Sequence, residues 1–215
     1  MAKGILLAAF DYSGAAEDEF NDWYDLEHIP ERERVPGFLM CQRWIGDAKT
    51  SIATYDLESP DVLKSAPYRA IAYENLSVWS KRVTAQCKRL LRFEGVQTLP
   101  GDKVGPGDAG ALLFNAMNVD PAHEADFNAW YDQEHIPSLA AVPGCLMARR
   151  FRATDKGSHK YLAVYHLTGV EVQESAAWKK AVDTPWSARI RPHYTDRVRL
   201  VGRRYVRQAR QGRAA

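Results

Sequence analysis

The chain has 215 residues, 46% of them hydrophobic and 26% charged, with a formal net charge of +2, which suits one large globular domain or two small ones. Cys41, Cys87 and Cys145 are an odd number with no CxxC pair, which argues against a disulfide framework and against a zinc knuckle. The longest apolar run near the start, Ile5 to Phe10, is too short for a signal-peptide core or a membrane span, so the expectation is a cytoplasmic protein with no membrane partner.

Taken in order, Gly4 to Phe10 reads as a short buried strand. Ala16 to His28 reads as a helix, with Glu17, Asp18 and Glu19 in the first turn where the helix dipole favours acids. Pro30 disfavours helical geometry at Ile29, which predicts that the helix stops near His28. Phe38 to Trp44 and Ser51 to Leu57 read as a hairpin around Gly46-Asp47. Val62 to Val83 reads as mostly helical, with a break near Pro67, and Lys88 to Phe93 as a last strand. "GVQTLPGDKVGPGDAG", Gly95 to Gly110, has the composition of a linker. Beyond it Asp120 is placed to cap a second helix with Pro121 at its first position. The chain ends in a basic stretch, Arg203, Arg204, Arg207, Arg210 and Arg213, with no acid, and without these five charges the body stands near −3. A nucleic-acid binder carries its basic surface on the folded body, so no nucleic-acid partner is expected. The stretch reads as a last strand running into a solvated, frayed tail.

"WYDLEHIP" from Trp23 returns as "WYDQEHIP" from Trp130. Phe20 to Trp44 aligns without a gap on Phe127 to Phe151, at an offset of 107, and 15 of the 25 positions are identical. Tyr55-Asp56-Leu57 answers to Tyr165-His166-Leu167, and Trp79-Ser80 to Trp186-Ser187. The chain is therefore two copies of one unit: residues 1–97 and 111–207, joined by a linker at 98–110 and followed by a tail at 208–215. Strand, helix, strand, strand, helix, strand is the ferredoxin-like order. One such unit leaves a sheet face bare, and two can bury it by packing sheet to sheet. The expected fold is thus α+β, two tandem ferredoxin-like βαββαβ units packed as a pseudo-symmetric barrel.

Tyr24-xxx-His28-x-Pro30 and Tyr131-xxx-His135-x-Pro137 resemble the Y-x-x-x-H-x-P signature of EthD-like proteins in the dimeric α+β-barrel superfamily. That superfamily includes polyketide cyclases, lactone isomerases, quinone-forming monooxygenases, haem enzymes and members with no known activity, so fold does not decide function. The resemblance implies a pocket between sheet and helices in which His and Tyr work without metal or flavin.

On a helix Tyr24 and His28 share a face, and Asp25 lies beside His28. Together they form a proton-transfer set: an imidazole base tuned by a carboxylate, and a phenol that donates to a developing oxyanion. His135, Tyr131 and Asp132 are its second copy. The candidate catalytic residues are His28, His135, Tyr24, Tyr131, Asp25 and Asp132, and the candidate substrate-binding residues Trp44, His166, Trp23 and Trp130. His166 would add a base if it faced the second pocket. The opposing reading makes each histidine a tie for the turn that follows it. Asp25 and Asp132 are expected as partners of the imidazoles, and Glu27 and Glu134 as solvated. No metal is expected, since Asp25 and Glu27 point to different sides of one helix and His159, His166 and His193 lack ligand spacing. Haem has no histidine in a distinctive context, and no glycine-rich phosphate loop follows a strand. The expectation is a cofactor-independent lyase, isomerase or cyclase acting on an aromatic or polyketide-like small molecule. A non-catalytic ligand-binding or structural barrel and a cofactor-free monooxygenase are the alternatives. The two-unit chain leaves room for a homodimer.

Overall fold

A computed structural model describes residues 2–207; the expected tail at 208–215, with Arg210 and Arg213, lies outside them. The first unit runs β1 (Gly4–Asp11), α1 (Glu17–Trp23), a π turn (Tyr24–His28), α2 (Ile29–Glu33), β2 (Phe38–Ile45), β3 (Thr50–Leu57), α3 (Ala66–Arg69), α4 (Val78–Thr84) and β4 (Lys88–Leu99). The second repeats it as β5 (Ala111–Val119), α5 (Glu124–Trp130), a π turn (Tyr131–His135), α6 (Ile136–Ala140), β6 (Cys145–Ala153), β7 (Tyr161–Leu167), α7 (Ala176–Val182), α8 (Pro185–Ile190) and β8 (Tyr194–Arg204). Asp120 does cap the second unit's first helical turn, accepting the Ala122 N–H, with Pro121 following it.

The strands close into one barrel in the order β1-β3-β2-β8-β5-β7-β6-β4. Each half has the ferredoxin-like order, and the halves join at two reciprocal seams, β2 to β8 and β4 to β6. All strand pairs are antiparallel. Side chains alternate across each strand, and here both faces are covered. Ile5, Leu7 and Ala9 of β1 join Leu112, Phe114 and Ala116 of β5 in the core inside the barrel. Leu6 points outward, to the helices of the first unit. Eight strands enclose a space that side chains can fill.

That interior is not wholly apolar. Asp56 of β3 and Arg149 of β6 meet inside it at 2.6 Å, with side chains 2% and 0% exposed. Asp56 also accepts the Gly105 N–H at 2.8 Å, and Arg149 donates to the Lys103 carbonyl. The segment between the units thus lies against the barrel's polar interior, where Gln42 and Gln97 also hold its carbonyls. A Cβ on Gly105 would stand 2.7 Å from His166 Nε2, so only glycine passes there. The ion pair joins the two copies: Arg149 stands where the first copy has Gln42, and Asp56 where the second has His166.

Three local expectations change. The helix does not stop at His28. It widens into a π turn in which the Ile29 N–H reaches the Tyr24 carbonyl, then resumes through Glu33. A proline in an α-helix lacks an N–H and its ring clashes with the carbonyl four residues back. The wider turn absorbs Pro30 without ending the helix, and the Ile136 N–H to Tyr131 carbonyl bond repeats the device before Pro137. Residues 62–83 hold short pieces rather than one broken helix, because Ser65 and Ser77 each cap a fresh start by accepting the N–H three residues on. Strand β4 runs to Leu99, so the "linker" from Gly95 begins as barrel wall, paired with β6. The basic stretch is held as far as the described residues reach, to Arg207. Arg203 and Arg204 end β8, the Tyr205 N–H donates to the Arg43 carbonyl, and Arg207 pairs with Asp22 at 2.9 Å.

The Asp56–Arg149 pair yields a stability test. Asp56→Asn leaves a buried guanidinium uncompensated and is expected to cost about 3–5 kcal/mol in urea unfolding. Adding Arg149→Gln, the residue found at the equivalent position 42, is expected to recover much of the loss. A double variant no more stable than the single one would show that the charge is not the cause.

Candidate functional site

Each unit has a cavity between the outer face of its sheet and its helices. The first, about 320 Å³, is lined by Trp23, His28, Arg32, Tyr55, Tyr68 and Arg92 among others. The second, about 410 Å³, is lined by Trp130, Tyr131, His135, Tyr165, Trp178 and Tyr194 among others. Both motif histidines reach them from the π turns.

The imidazoles sit in matching aromatic settings. The His28 centroid lies 4.5 Å from Trp23, 5.2 Å from Tyr24 and 6.4 Å from Tyr55. For His135 the distances are 4.1 Å to Trp130, 5.1 Å to Tyr131 and 6.4 Å to Tyr165. His28 is half-buried and lines the first cavity. The Nδ1 atoms of both histidines and the hydroxyls of Tyr24, Tyr55 and Tyr165 are buried without hydrogen-bond partners among the described residues. Tyr131 has a long contact to Met117 Sδ at 3.7 Å. Buried polar atoms normally find partners, so this repeated cluster of orphans beside each cavity marks the cavities as candidate ligand sites.

The expected carboxylate partner is not there. Asp25 accepts from Arg43 at 3.0 Å and from the Tyr205 hydroxyl at 3.1 Å; Asp132 accepts from Arg150 at 2.6 Å. The reason is solvation. Arg43 and Arg150 are buried on β2 and β6 beneath the helices, and a buried guanidinium demands a carboxylate more strongly than an imidazole that can stay neutral. Asn21 and Asn128 complete the clamps, and each arginine lies over the motif tyrosine, 4.2 Å from the Tyr24 ring and 4.6 Å from the Tyr131 ring. Glu27 and Glu134 are not solvated either. Glu27 accepts from Ser77 and Ser80, and Ser80 accepts the Trp23 indole N–H at 2.9 Å. In the second copy Glu134 accepts from Thr184, and Trp130 donates to Ser187 and to Glu134. The repeated Trp79-Ser80 and Trp186-Ser187 belong to the same brackets, since these indoles donate to Glu19 and Asp126.

Strand alternation separates the remaining candidates. Trp44 and His166 point into the barrel, not into either cavity. Trp44 is fully buried with its indole donating to Thr54, and the His166 ring lies 5.9 Å from it with both nitrogens unpartnered. The residues one step earlier on β3 and β7, Tyr55 and Tyr165, face the cavities instead. Sequence reasoning does not single them out as site residues, although both lie in the repeated Tyr-x-Leu; the repeat together with period-two alternation is the signal that could have found them. Trp23 and Trp130 do border the cavities.

Electrostatics follow burial. Without a carboxylate and with Arg32 and Arg43 nearby, His28 is held well below the ordinary imidazole range, first of all by burial. His135 is lowered to about 3 by burial and by Arg191, Arg197 and Arg150. Burial pushes the Tyr24 and Tyr131 phenols up to about 12, and Tyr55 and Tyr165 well above their usual range. At neutral pH the set is therefore neutral imidazole and neutral phenols. Among the described residues each cavity lining offers one imidazole and no carboxylate or thiol, fewer protein ligands than a zinc site takes. Elsewhere, Asp120, His123 and His193 bring three ligand atoms within 4.8 Å of one another, where the Asp120 carboxylate already accepts a helix-cap N–H.

The His135 environment predicts a pH dependence of stability. Its folded pKa, about 3, lies below its ordinary 6.5. On acidification the unfolded chain takes up a proton first, so the contribution is whole above about 6.5 and is lost as the pH falls toward about 3. The urea midpoint is expected to fall across this window, and less steeply in His135→Gln. A His135 ring signal titrating near its ordinary value in proton NMR would contradict the burial argument.

No protein-family model and no curated protein sequence matches the chain. Solved structures do match along nearly its whole length. An anthrone oxidase-like protein superposes with a TM-score of 0.64 at 14% identity, over 100% of this chain and 96% of that one. A mutant chlorite dismutase from Candidatus Nitrospira defluvii gives 0.63 at 11% identity, over 96% and 93%. A protein from Lactobacillus acidophilus assigned to the monooxygenases gives 0.58 at 14%, over 95% and 94%. At these identities the likeness is one of fold, that of the dimeric α+β barrels. No helix among the described residues is long and apolar enough to cross a membrane.

Proposed function

We propose that the chain is a small-molecule enzyme of the EthD-like kind, acting by proton transfer on an aromatic or polyketide-like substrate without a cofactor. The observation that supports this is the duplicated set of buried, unpartnered polar atoms around a cavity: one imidazole nitrogen with phenol hydroxyls beside it. A neutral imidazole can accept a proton from carbon or oxygen, and a neutral phenol can donate to the oxyanion that forms. Aromatic walls exclude water and suit a flat substrate. Lyase, isomerase and cyclase steps all reduce to this exchange. The second reading is a cofactor-free monooxygenase, favoured by the fold likeness to an anthrone oxidase-like protein and to a monooxygenase-assigned one. There the same base would deprotonate a phenolic substrate with an activated CH2 group, and the electron-rich anion would react with dioxygen, one oxygen atom replacing the two hydrogens as a carbonyl and the other leaving with them as water, so that the substrate itself is the reductant.

The test separates site from scaffold. His28→Ala and His135→Ala remove no protein hydrogen bond to Nδ1 and are expected to melt near the parent. Turnover at the affected cavity, screened on phenols, enolisable ketones and lactones, is expected to fall by about 10²–10⁴-fold. Glu27→Ala and Glu134→Ala break the helix brackets and are expected to cost about 1–3 kcal/mol of stability. Following oxygen consumption in the same screen distinguishes the monooxygenase reading. Histidine variants that turn over every accepted substrate at the parental rate would defeat the proposal.

A further inference from the structure

The two cavities share their aromatic set but differ in charge. The first holds Arg32, Arg89 and Arg92, and an acid stands beside two of them. Arg32 pairs with Glu31 at 2.7 Å, and Arg92 pairs with Glu94. The second holds Arg197 and Arg199 on β8, on the face that carries the cavity lining. Their hydrogen-bond partners are neutral amide oxygens. Arg197 donates twice to Asn115 Oδ1, at 3.0 and 3.2 Å, and Arg199 donates to Gln173 Oε1. Amides orient a guanidinium without cancelling its charge. Among the described residues, no Asp or Glu lines this cavity. Arg199 occupies the position of Arg92 in the repeat, and where the first copy has Glu94 the second has Val201. The compensating acid is present in one copy and absent from the other. The two guanidiniums also repel each other, and Arg199 is shifted below its ordinary range by burial and by Arg197.

We infer that the second cavity is the substrate site for a small organic acid. The anionic group is held by Arg197 and Arg199, and the flat body lies among Trp130, Tyr165, Trp178 and Tyr194. This rests on the reading of the cavities as ligand sites and deepens it. Two orientable guanidiniums with spare donors suit a carboxylate, which accepts such forks in bidentate fashion. His135 lies in the same cavity with its Nδ1 unpartnered. Arg197 is among the charges that keep this imidazole neutral, so an anion bound against Arg197 offsets part of that charge. Binding of the acid thereby raises the basicity of His135 and couples recognition to proton transfer.

The experiment uses a matched pair of probes on the whole chain, 1-naphthoate and 1-naphthamide, which share a ring system and differ in charge. Affinity is read by calorimetry, and the His135 ring signal by NMR. The naphthoate is expected to bind about tenfold or more tightly than the amide, as hydrogen bonds to charged groups allow. It should shift the His135 signal and raise its pKa, and salt should weaken it. In Arg197→Gln/Arg199→Gln the preference is expected to vanish. In Lys64→Gln, at an exposed surface pair, it is expected to persist. Both arginines keep a good part of their surface in solvent, so their variants are expected to melt with the parent. If both probes bind equally and move His135, the cavity reading stands and the acid inference falls. A naphthoate preference that survives in the double variant also overturns the inference. If neither probe binds or disturbs His135, both readings fall.

Discussion

Closure of the sheet governs everything else in this molecule. Each ferredoxin-like half has an apolar sheet face that no helix of its own covers, and exposing it to water would be costly. The two halves bury these faces against each other, and their edge strands pair at β2 with β8 and β4 with β6. Once the barrel closes, every strand has an inside and an outside, and period-two alternation assigns each side chain to one of them. Tyr55 and Tyr165 go outward to the helices and cavities; Asp56 and His166 go inward.

The repeated phrase "WYD-EHIP" divides its contacts residue by residue. Trp and Glu bracket the motif helix to the helices that carry Ser80 and Ser187. Asp holds a buried arginine under the helix. Pro is accommodated by the π turn. Tyr and His remain, and the histidines border the cavities with buried nitrogens unpartnered. The π turn lets the chain pass a proline while delivering the histidine into the cavity. Such turns recur at functional sites.

Covalent duplication lets the halves differ. A barrel made from two identical single-unit chains would make each contact between its halves twice, residue i to residue j and j to i. Here Asp56 meets Arg149 across the barrel, with Gln42 and His166 at the matching positions, and the pairing of the halves gains a complementary contact. The same freedom separates the cavities. One retains Glu94 beside its arginine, and the other has lost it.

The sequence by itself determined the duplication, the strand order of each half and the joining of the halves as one barrel. These are carried by local periodicity and by repetition, which need no knowledge of distant contacts. It did not determine partners. Asp25 has His28 three residues away and Arg43 eighteen away, and only the packing of β2 under the helix shows that the buried guanidinium takes the carboxylate. Glu27 reads as solvated in the sequence because Ser77 and Ser80 are some fifty residues distant. His166 reads as a second base because its facing depends on which side of β7 the barrel encloses. Helix continuation past Pro30 is likewise illegible, since a π turn forms only where tertiary packing holds the widened helix in place. In each case the tertiary structure decided between local options of similar energy. Taking a charge or a polar group out of water costs more than those options differ, so the partner that burial supplies settles the choice.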